Sequence, residues 1–135
     1  MIGLLIITHE TVGQAYRMLA EHFFTKVPDY LHVLGIHGNE SPEDVLSRAI
    51  AITKEFDTDN ILILTDIYGA TPCNIARKLF NTCNIAILTG LNAPMMIKAL
   101  QYAPQRDDID TFAEEVRQSA INGIIRISEE DCREA

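Results

Sequence analysis

His9 and Asp66 are the two residues whose types and places in the chain best suit chemistry. His9 follows an apolar run at 2–7, and Asp66 follows a similar run at 60–65. Both runs are predicted to be buried strands, and in open parallel sheets functional groups collect beyond the carboxyl ends of the strands. The two side chains should therefore meet at one edge of a sheet. There a carboxylate can fix the tautomer of an imidazole, which then serves as a nucleophile or a base.

The polar segments after four predicted strands should form one rim at this edge. Each precedes a predicted helix, so free backbone N–H groups and positive helix ends would face the same crevice. That environment suits an anion, particularly a phosphoryl group. The chain has no GxxxxGK[ST] or GxGxxG motif, so a nucleotide is not indicated and the protein itself would carry the phosphoryl group. The four segments are 8–11, 37–39, 66–71 and 89–92.

Specific roles follow from this arrangement. A neutral imidazole accepts a phosphoryl group on one nitrogen when its other nitrogen carries the proton, and Asp66 is expected to bind that N–H of His9. Phosphoryl transfer demands mainly positioning and electrostatic stabilisation, so we expect no metal and no organic cofactor. The residues expected to bind the phosphoryl oxygens through hydroxyl or backbone N–H groups are Thr11, Gly69, Ala70, Thr71 and Cys73.

Apolar runs alternate with helix-period segments along the chain, which indicates βα units and a parallel sheet. The predicted fold class is α/β: a three-layer α/β/α arrangement around a mainly parallel, doubly wound sheet. Ser41-Pro42, Thr71-Pro72 and Asn92 with Pro94 are predicted helix starts, in which Ser41, Thr71 and Asn92 are the expected N-caps. The predicted strands span about 2–8, 30–36, 60–65 and 83–89, and a last helix spans about 108–120.

A short last strand is predicted at 123–127, close to the C-terminus. Exposed apolar edges are a hazard unless they are paired or covered. Two placements stay open: the strand packs at the sheet edge of its own subunit, or it is exchanged with a partner subunit in an obligatory dimer. The polar tail 128–135 is expected to fray.

Composition limits the function classes. The 135 residues suit one domain spanning 1–135, and no apolar run reaches the about 18 residues that a membrane span needs. The start of the chain lacks signal-peptide features, so the cytoplasm is expected. A net charge of −8 without a Lys/Arg cluster argues against nucleic acid. Three cysteines without CxxC spacing argue against a disulfide scaffold or a zinc site.

Three motifs together resemble a known family, the mannose-family enzyme IIA domain of the phosphoenolpyruvate-dependent phosphotransferase system. That family reads roughly T-H-G, then V-D-x-x-G-G-S-P-x-N, then G-x-N-x-P-M. The resemblance covers about residues 2–127. The matching segments are Thr8-His9, Thr65-Asp66 through Asn74, and Gly90-Leu91-Asn92-Ala93-Pro94-Met95.

The resemblance implies that His9 accepts phosphoryl from the phosphocarrier protein HPr and passes it to a histidine on an enzyme IIB. It implies that Asp66 orients His9 and that the turn from Gly69 to Asn74 helps to form the phosphoryl pocket. It also implies a homodimer that exchanges the C-terminal strand and that meets the membrane at most through a permease complex. Two departures stand out: Glu10 replaces the usual Gly after the histidine, and Ala70-Thr71 replaces Gly-Ser.

Other readings of the same residues remain open. A receiver-like domain would use Asp66 as phosphoacceptor, and Thr89 at the end of the fourth strand fits such a domain. Thr8-His9 stands where a receiver needs an acidic pair for magnesium, and no lysine follows a fifth parallel strand. A non-catalytic regulator would bind partners through the same rim. The phosphoryl-donating subunit of dihydroxyacetone kinase shares the fold but usually has a different motif around its histidine.

Overall fold

Four parallel strands form the central sheet of the computed structural model, which describes residues 1–134. The strand order across the sheet is β2-β1-β3-β4. The all-parallel sheet with helices on both faces confirms the predicted α/β fold class. The strands are β1 (Gly3–His9), β2 (Leu31–Ile36), β3 (Asn60–Thr65) and β4 (Asn84–Leu88).

Residues 1–134 contain six α-helices, and 3₁₀ turns follow two of them, at Leu79–Asn81 and Ala103–Gln105. Ser41 caps its helix as predicted, because its hydroxyl accepts from the backbone N–H of Asp44 at 3.2 Å. Among residues 1–134, no helix is both long enough and apolar enough to cross a bilayer. The helices are α1 (Val12–Phe24), α2 (Pro42–Thr53), α3 (Thr71–Lys78), α4 (Ala93–Tyr102), α5 (Ile109–Asn122) and α6 (Glu129–Glu134).

Side-chain alternation along the strands builds a core on each face of the sheet. On β1, Leu4 and Ile6 pack with residues of α4 and α5, whereas Leu5 and Ile7 pack with residues of α2 and α3. All four side chains are fully buried. Because both faces are covered, the strands read as continuous apolar runs, as parallel strands commonly do.

The order of the strands places a switch point between β1 and β3. The chain moves from β1 to β2 on one side and then crosses to β3 on the other, and both neighbours pair with β1. The loops that follow β1 and β3 therefore lead away from each other and leave a crevice between them. His9 ends β1 and Asp66 follows β3, so both predicted functional residues lie at this crevice.

The predicted strand at 123–127 is not formed in the described residues, so its placement at the edge of its own sheet is wrong. The reason is the direction of α5. The carbonyl of Ala103, just after α4, accepts from the N–H of Ile2, just before β1, so α5 starts near the amino edge of the sheet. Near the end of α5, the carbonyl of Ala120 accepts from the side chain of Asn92, at the carboxyl edge. A fifth parallel strand would have to start at the amino edge, whereas α5 ends at the carboxyl edge. The tail also differs from its prediction, because 129–134 form α6; Ala135 lies outside the described residues.

Candidate functional site

His9 and Asp66 are in direct contact at the crevice. The Oδ2 atom of Asp66 lies 2.9 Å from His9 Nδ1 and accepts from the backbone N–H of His9 at 3.0 Å. Its Oδ1 atom accepts from the N–H of Ile67 at 3.1 Å. The His9 side chain is 40% exposed and that of Asp66 only 12%. The Asp66 carboxylate therefore makes three polar contacts, while the His9 ring is partly exposed to solvent.

The carboxyl group of Asp66 is ionised at neutral pH. Burial raises the pKa of Asp66, but the hydrogen bonds from the backbone and ring of His9, together with the His9 charge, lower it by more, and the pKa lies below its ordinary value of 3.8. An ionised carboxylate only accepts hydrogen bonds, so the proton of a neutral His9 ring sits on Nδ1. The lone pair of the imidazole is then on Nε2.

The turn before α3 brings backbone N–H groups to the same edge. Gly69 has a φ of 79°, a left-handed conformation that glycine adopts without cost. The first intrahelical bond runs from the N–H of Asn74 to the carbonyl of Ala70, so the N–H groups of Thr71 and Cys73 have no intrahelical partner. Such N–H groups at a helix start bind anions.

The predicted hydroxyl cap of α3 is wrong. Ala70 occupies the N-cap position, and Thr71 is the first helical residue, followed by Pro72. A residue inside the helix cannot cap its own N-terminus, so the exposed Thr71 hydroxyl is not used as a cap. Cys73 is buried and offers its backbone N–H to the edge, while the Asn74 amide donates to the carbonyl of Gly69 at 3.5 Å and closes the turn.

Thr8, and not the N-cap residue Thr11, provides the side-chain hydrogen bond at the start of α1. Thr11 is the N-cap residue, yet its exposed hydroxyl makes no cap hydrogen bond. The fully buried Thr8 replaces it, since its hydroxyl accepts from the N–H of Gly13 at 2.7 Å. Thr8 was not among the predicted site residues; a hydroxyl directly before the histidine was the only signal for it. It fixes α1 to the strand end that carries His9.

Asn92 caps α4, as predicted. Its side-chain oxygen accepts from the N–H of Met95 at 2.9 Å, and its amide donates to the carbonyl of Ala120 in α5 at 3.1 Å. Just before it, the N–H of Leu91 donates to the carbonyl of Thr65 at 3.0 Å. The third motif thus holds the loop after β4 against β3 and against α5.

A second pair of a histidine and a carboxylate lies beside the first. Its residues belong to two segments predicted to share the rim, 8–11 and 37–39, but their contact was not predicted. Glu10 Oε2 lies 2.5 Å from His37 Nδ1, and Glu10 Oε1 accepts from the N–H of Gly38 at 3.3 Å. The hydrogen bond from His37 is the main reason that the pKa of Glu10 lies below its ordinary value of 4.5. Sequence periodicity says nothing about which loop residues meet, so this pair required the structure.

Glu10, which stands where the family usually has glycine, has an unusual backbone conformation. Glu10 has a φ of 46°, in the left-handed region that favours glycine. Its backbone is held there, because its N–H donates to the carbonyl of Ile36 at 2.8 Å. Its carbonyl packs against Gly35, where an added Cβ would lie 2.4 Å from that oxygen.

The comparisons with known proteins agree with this architecture. The family model described as "PTS system fructose IIA component" (EIIA-man) matches residues 3–117. The sorbose-specific EIIA component of Lacticaseibacillus casei is 21% identical over 96 residues, which cover 70% of this chain and 69% of that protein.

Solved structures show the same fold. A phosphotransferase system component EIIA from Streptococcus agalactiae superposes with a TM-score of 0.82 at 26% identity, covering 93% of this chain and 97% of that one. A mannose/sorbose-specific IIA subunit from Enterococcus faecalis gives a TM-score of 0.81 at 21% identity, covering 93% and 94%. Since the family model spans most of the residues and the motifs lie at the crevice, the chain belongs to the mannose-type enzyme IIA family of the sugar phosphotransferase system.

Proposed function

We propose that this protein is a phosphohistidine relay that accepts phosphoryl from HPr on His9 and passes it to a histidine of an enzyme IIB. It would act in sugar uptake or in the regulation of that uptake. The observation that carries the proposal is the 2.9 Å contact between His9 Nδ1 and Asp66 Oδ2 at a partly exposed ring. Nδ1 of His9 is bound by the Asp66 carboxylate, so Nε2 is the nitrogen that would react.

The proposed transfer needs only groups at this crevice. The Nε2 lone pair of His9 attacks the phosphorus, the N–P bond to the donor histidine breaks, and its electron pair returns to the donor ring. The proton stays on Nδ1 and remains hydrogen-bonded to Asp66, whose carboxylate stabilises the positive charge that develops on the ring. Passing the group to an enzyme IIB reverses these steps with a new acceptor.

The phosphoryl oxygens would be bound next to the ring. We assign this role to the N–H groups of Thr71 and Cys73 and to the exposed hydroxyls of Thr11 and Thr71. In this proposal Gly69, Ala70 and Asn74 shape the turn that presents them. Preorganised donors of this kind stabilise transferred charge without reorganising during the reaction.

The surroundings of the crevice suit protein partners. Ile67 and Tyr68 directly follow Asp66 and are 57% and 72% exposed. Exposed apolar side chains beside a reactive group are typical of a surface that docks another protein. We propose that residues 1–135 act as one domain in the cytoplasm, as a homodimer, and approach the membrane only through a permease complex.

A receiver-like function is less well supported by the same geometry. Both oxygens of Asp66 already accept hydrogen bonds, from His9 and Ile67, and its side chain is mostly buried. A phosphoacceptor aspartate needs a free, accessible oxygen. The more exposed imidazole is therefore the better acceptor.

Intact-mass analysis after incubation with phosphoenolpyruvate, enzyme I and HPr tests the proposal. We expect one added phosphoryl group on the wild type and on His22→Ala, which removes an exposed imidazole of α1, and none on His9→Ala. The group should survive alkali and be lost in acid, as phosphohistidine is. An alkali-labile group, or labelling that persists in His9→Ala, would contradict the proposal.

A further inference from the structure

We propose that the Glu10–His37 pair tunes the stability of the phosphoryl group on His9, and thus the potential with which His9 passes it on. This inference rests on the proposed function and adds residues to it. Glu10 places a negative charge on the residue next to the phosphoryl acceptor in the chain, and His37 binds that charge. The Glu10 charge raises the free energy of the phosphorylated state, and the contact with His37 limits this increase.

The position of the Glu10 charge is fixed by the structure around it. The left-handed backbone of Glu10 is held by the carbonyl of Ile36 and by the close approach of Gly35. Its carboxylate is held by His37 Nδ1 at 2.5 Å and by the N–H of Gly38. Glu10 therefore points toward the loop after β2, not freely into solvent.

His37 is itself held in place. Its backbone N–H donates to Glu40 Oε2 at 2.7 Å, and the other oxygen of Glu40 binds Arg48 of α2. The loop after β2 is thereby anchored to α2. Polar contacts thus run from Arg48 through Glu40 to the His37 backbone, and from the His37 ring to the Glu10 carboxylate.

The sign of the effect follows from charge. A phosphoryl group on His9 adds about two negative charges to the residue that precedes Glu10, and like charges repel. In the unphosphorylated protein the His9 charge is a minor cause of the lowered pKa of Glu10. Because Glu10 is exposed, the repulsion is screened by water and salt, so its effect on an equilibrium is modest, about two- to fivefold.

The experiment measures the equilibrium constant for phosphoryl exchange between purified phospho-HPr and this protein, without phosphoenolpyruvate or enzyme I. An equilibrium constant does not depend on how fast the two proteins meet, so it separates tuning from docking. The variants are Glu10→Gln, which removes the charge, and His37→Ala, which removes the donor. Glu21→Gln, an exposed glutamate of α1, is the control with the same change of net charge.

We expect Glu10→Gln to favour phospho-His9 about two- to fivefold over Glu21→Gln and His37→Ala to disfavour it, with both effects shrinking at high salt. A Glu10→Gln equilibrium equal to that of Glu21→Gln, or shifted the other way, overturns the inference. An unchanged His37→Ala equilibrium overturns the role of the pair. Absence of phosphorylation in the wild type would instead overturn the proposed function, on which the inference rests. Circular dichroism melts establish that each variant is folded.

Discussion

At the scale of single residues, Asp66 binds both the ring and the backbone of His9 through one oxygen atom. An amide in its place would present either an acceptor or a donor to Nδ1, and only the carboxylate enforces a proton there. We therefore expect Asp66→Asn to slow phosphoryl transfer from phospho-HPr to His9 by up to about 10⁴-fold, the loss that the same change causes in a Ser-His-Asp triad. Single-turnover transfer measures this rate, with Asp57→Asn, an exposed carboxylate outside the crevice, as control.

The effect of Asp66→Asn on the free energy of unfolding should depend on pH. Because the folded pKa of Asp66 lies below its ordinary value of 3.8, its ionised form stabilises the folded protein above that pH. The contribution is lost as the pH falls from 3.8 through the lower folded pKa. The difference in unfolding free energy between wild type and Asp66→Asn, measured in urea, should thus shrink as the pH is lowered from 7 to 3. A difference that is constant over this range would mean that His9 does not stabilise the carboxylate.

Residue identity and position along the chain were enough to predict that His9 and Asp66 meet, because strand ends of a parallel sheet meet at one edge. They were not enough for the Glu10–His37 pair. That contact depends on a left-handed φ of 46° and on the course of the loop after β2, and neither leaves a periodic signal. The role of Thr8 was missed for a similar reason, since its hydroxyl caps a helix that starts four residues later.

At the scale of secondary structure, Asn92 joins three elements. It caps α4, bonds to the end of α5 and lies in the loop held to β3. We expect Asn92→Ala to lower the free energy of unfolding by about 1–2 kcal/mol, the usual cost of losing a cap. Asn92→Ser keeps a capping oxygen and loses only the bond to Ala120, so it should fall in between. Urea unfolding checks both, and equal stability of wild type and Asn92→Ala would show that the cap contributes nothing.

The elements of the fold were largely predictable because burial on both faces gives apolar runs for strands and a 3.6-residue period for helices. The cap of α3 was predicted one residue too late. Thr71 was chosen because threonine is a better cap than alanine, but the backbone places Ala70 at the N-cap. The strand at 123–127 was mispredicted for another reason. Its apolar residues suit a ladder, but α5 ends at the carboxyl edge of the sheet, where a further parallel strand cannot start.

At the scale of the whole molecule, the segment 123–127 is an apolar surface without a partner in the described part of the chain. Ile124, Ile125 and Ile127 are 77%, 73% and 73% exposed, and β4 is an edge strand of the sheet. An open edge and an exposed apolar segment in one molecule are complementary between two copies, and mutual exchange closes both. This is the physical basis for the homodimer that we propose.

Size-exclusion chromatography with light scattering tests this dimer. We expect a dimer for the wild type and for Met18→Asp, which places a charge on an equally exposed apolar position of α1, and a monomer for Ile125→Asp. Because a dimer that forms through exchanged segments is stabilised by mass action, the melting temperature of the wild type should rise with protein concentration, and that of Ile125→Asp should not. A monomeric wild type, or an Ile125→Asp variant that remains a dimer, would show that the segment is not the interface. In that case the exposed isoleucines would be free to contact a different protein.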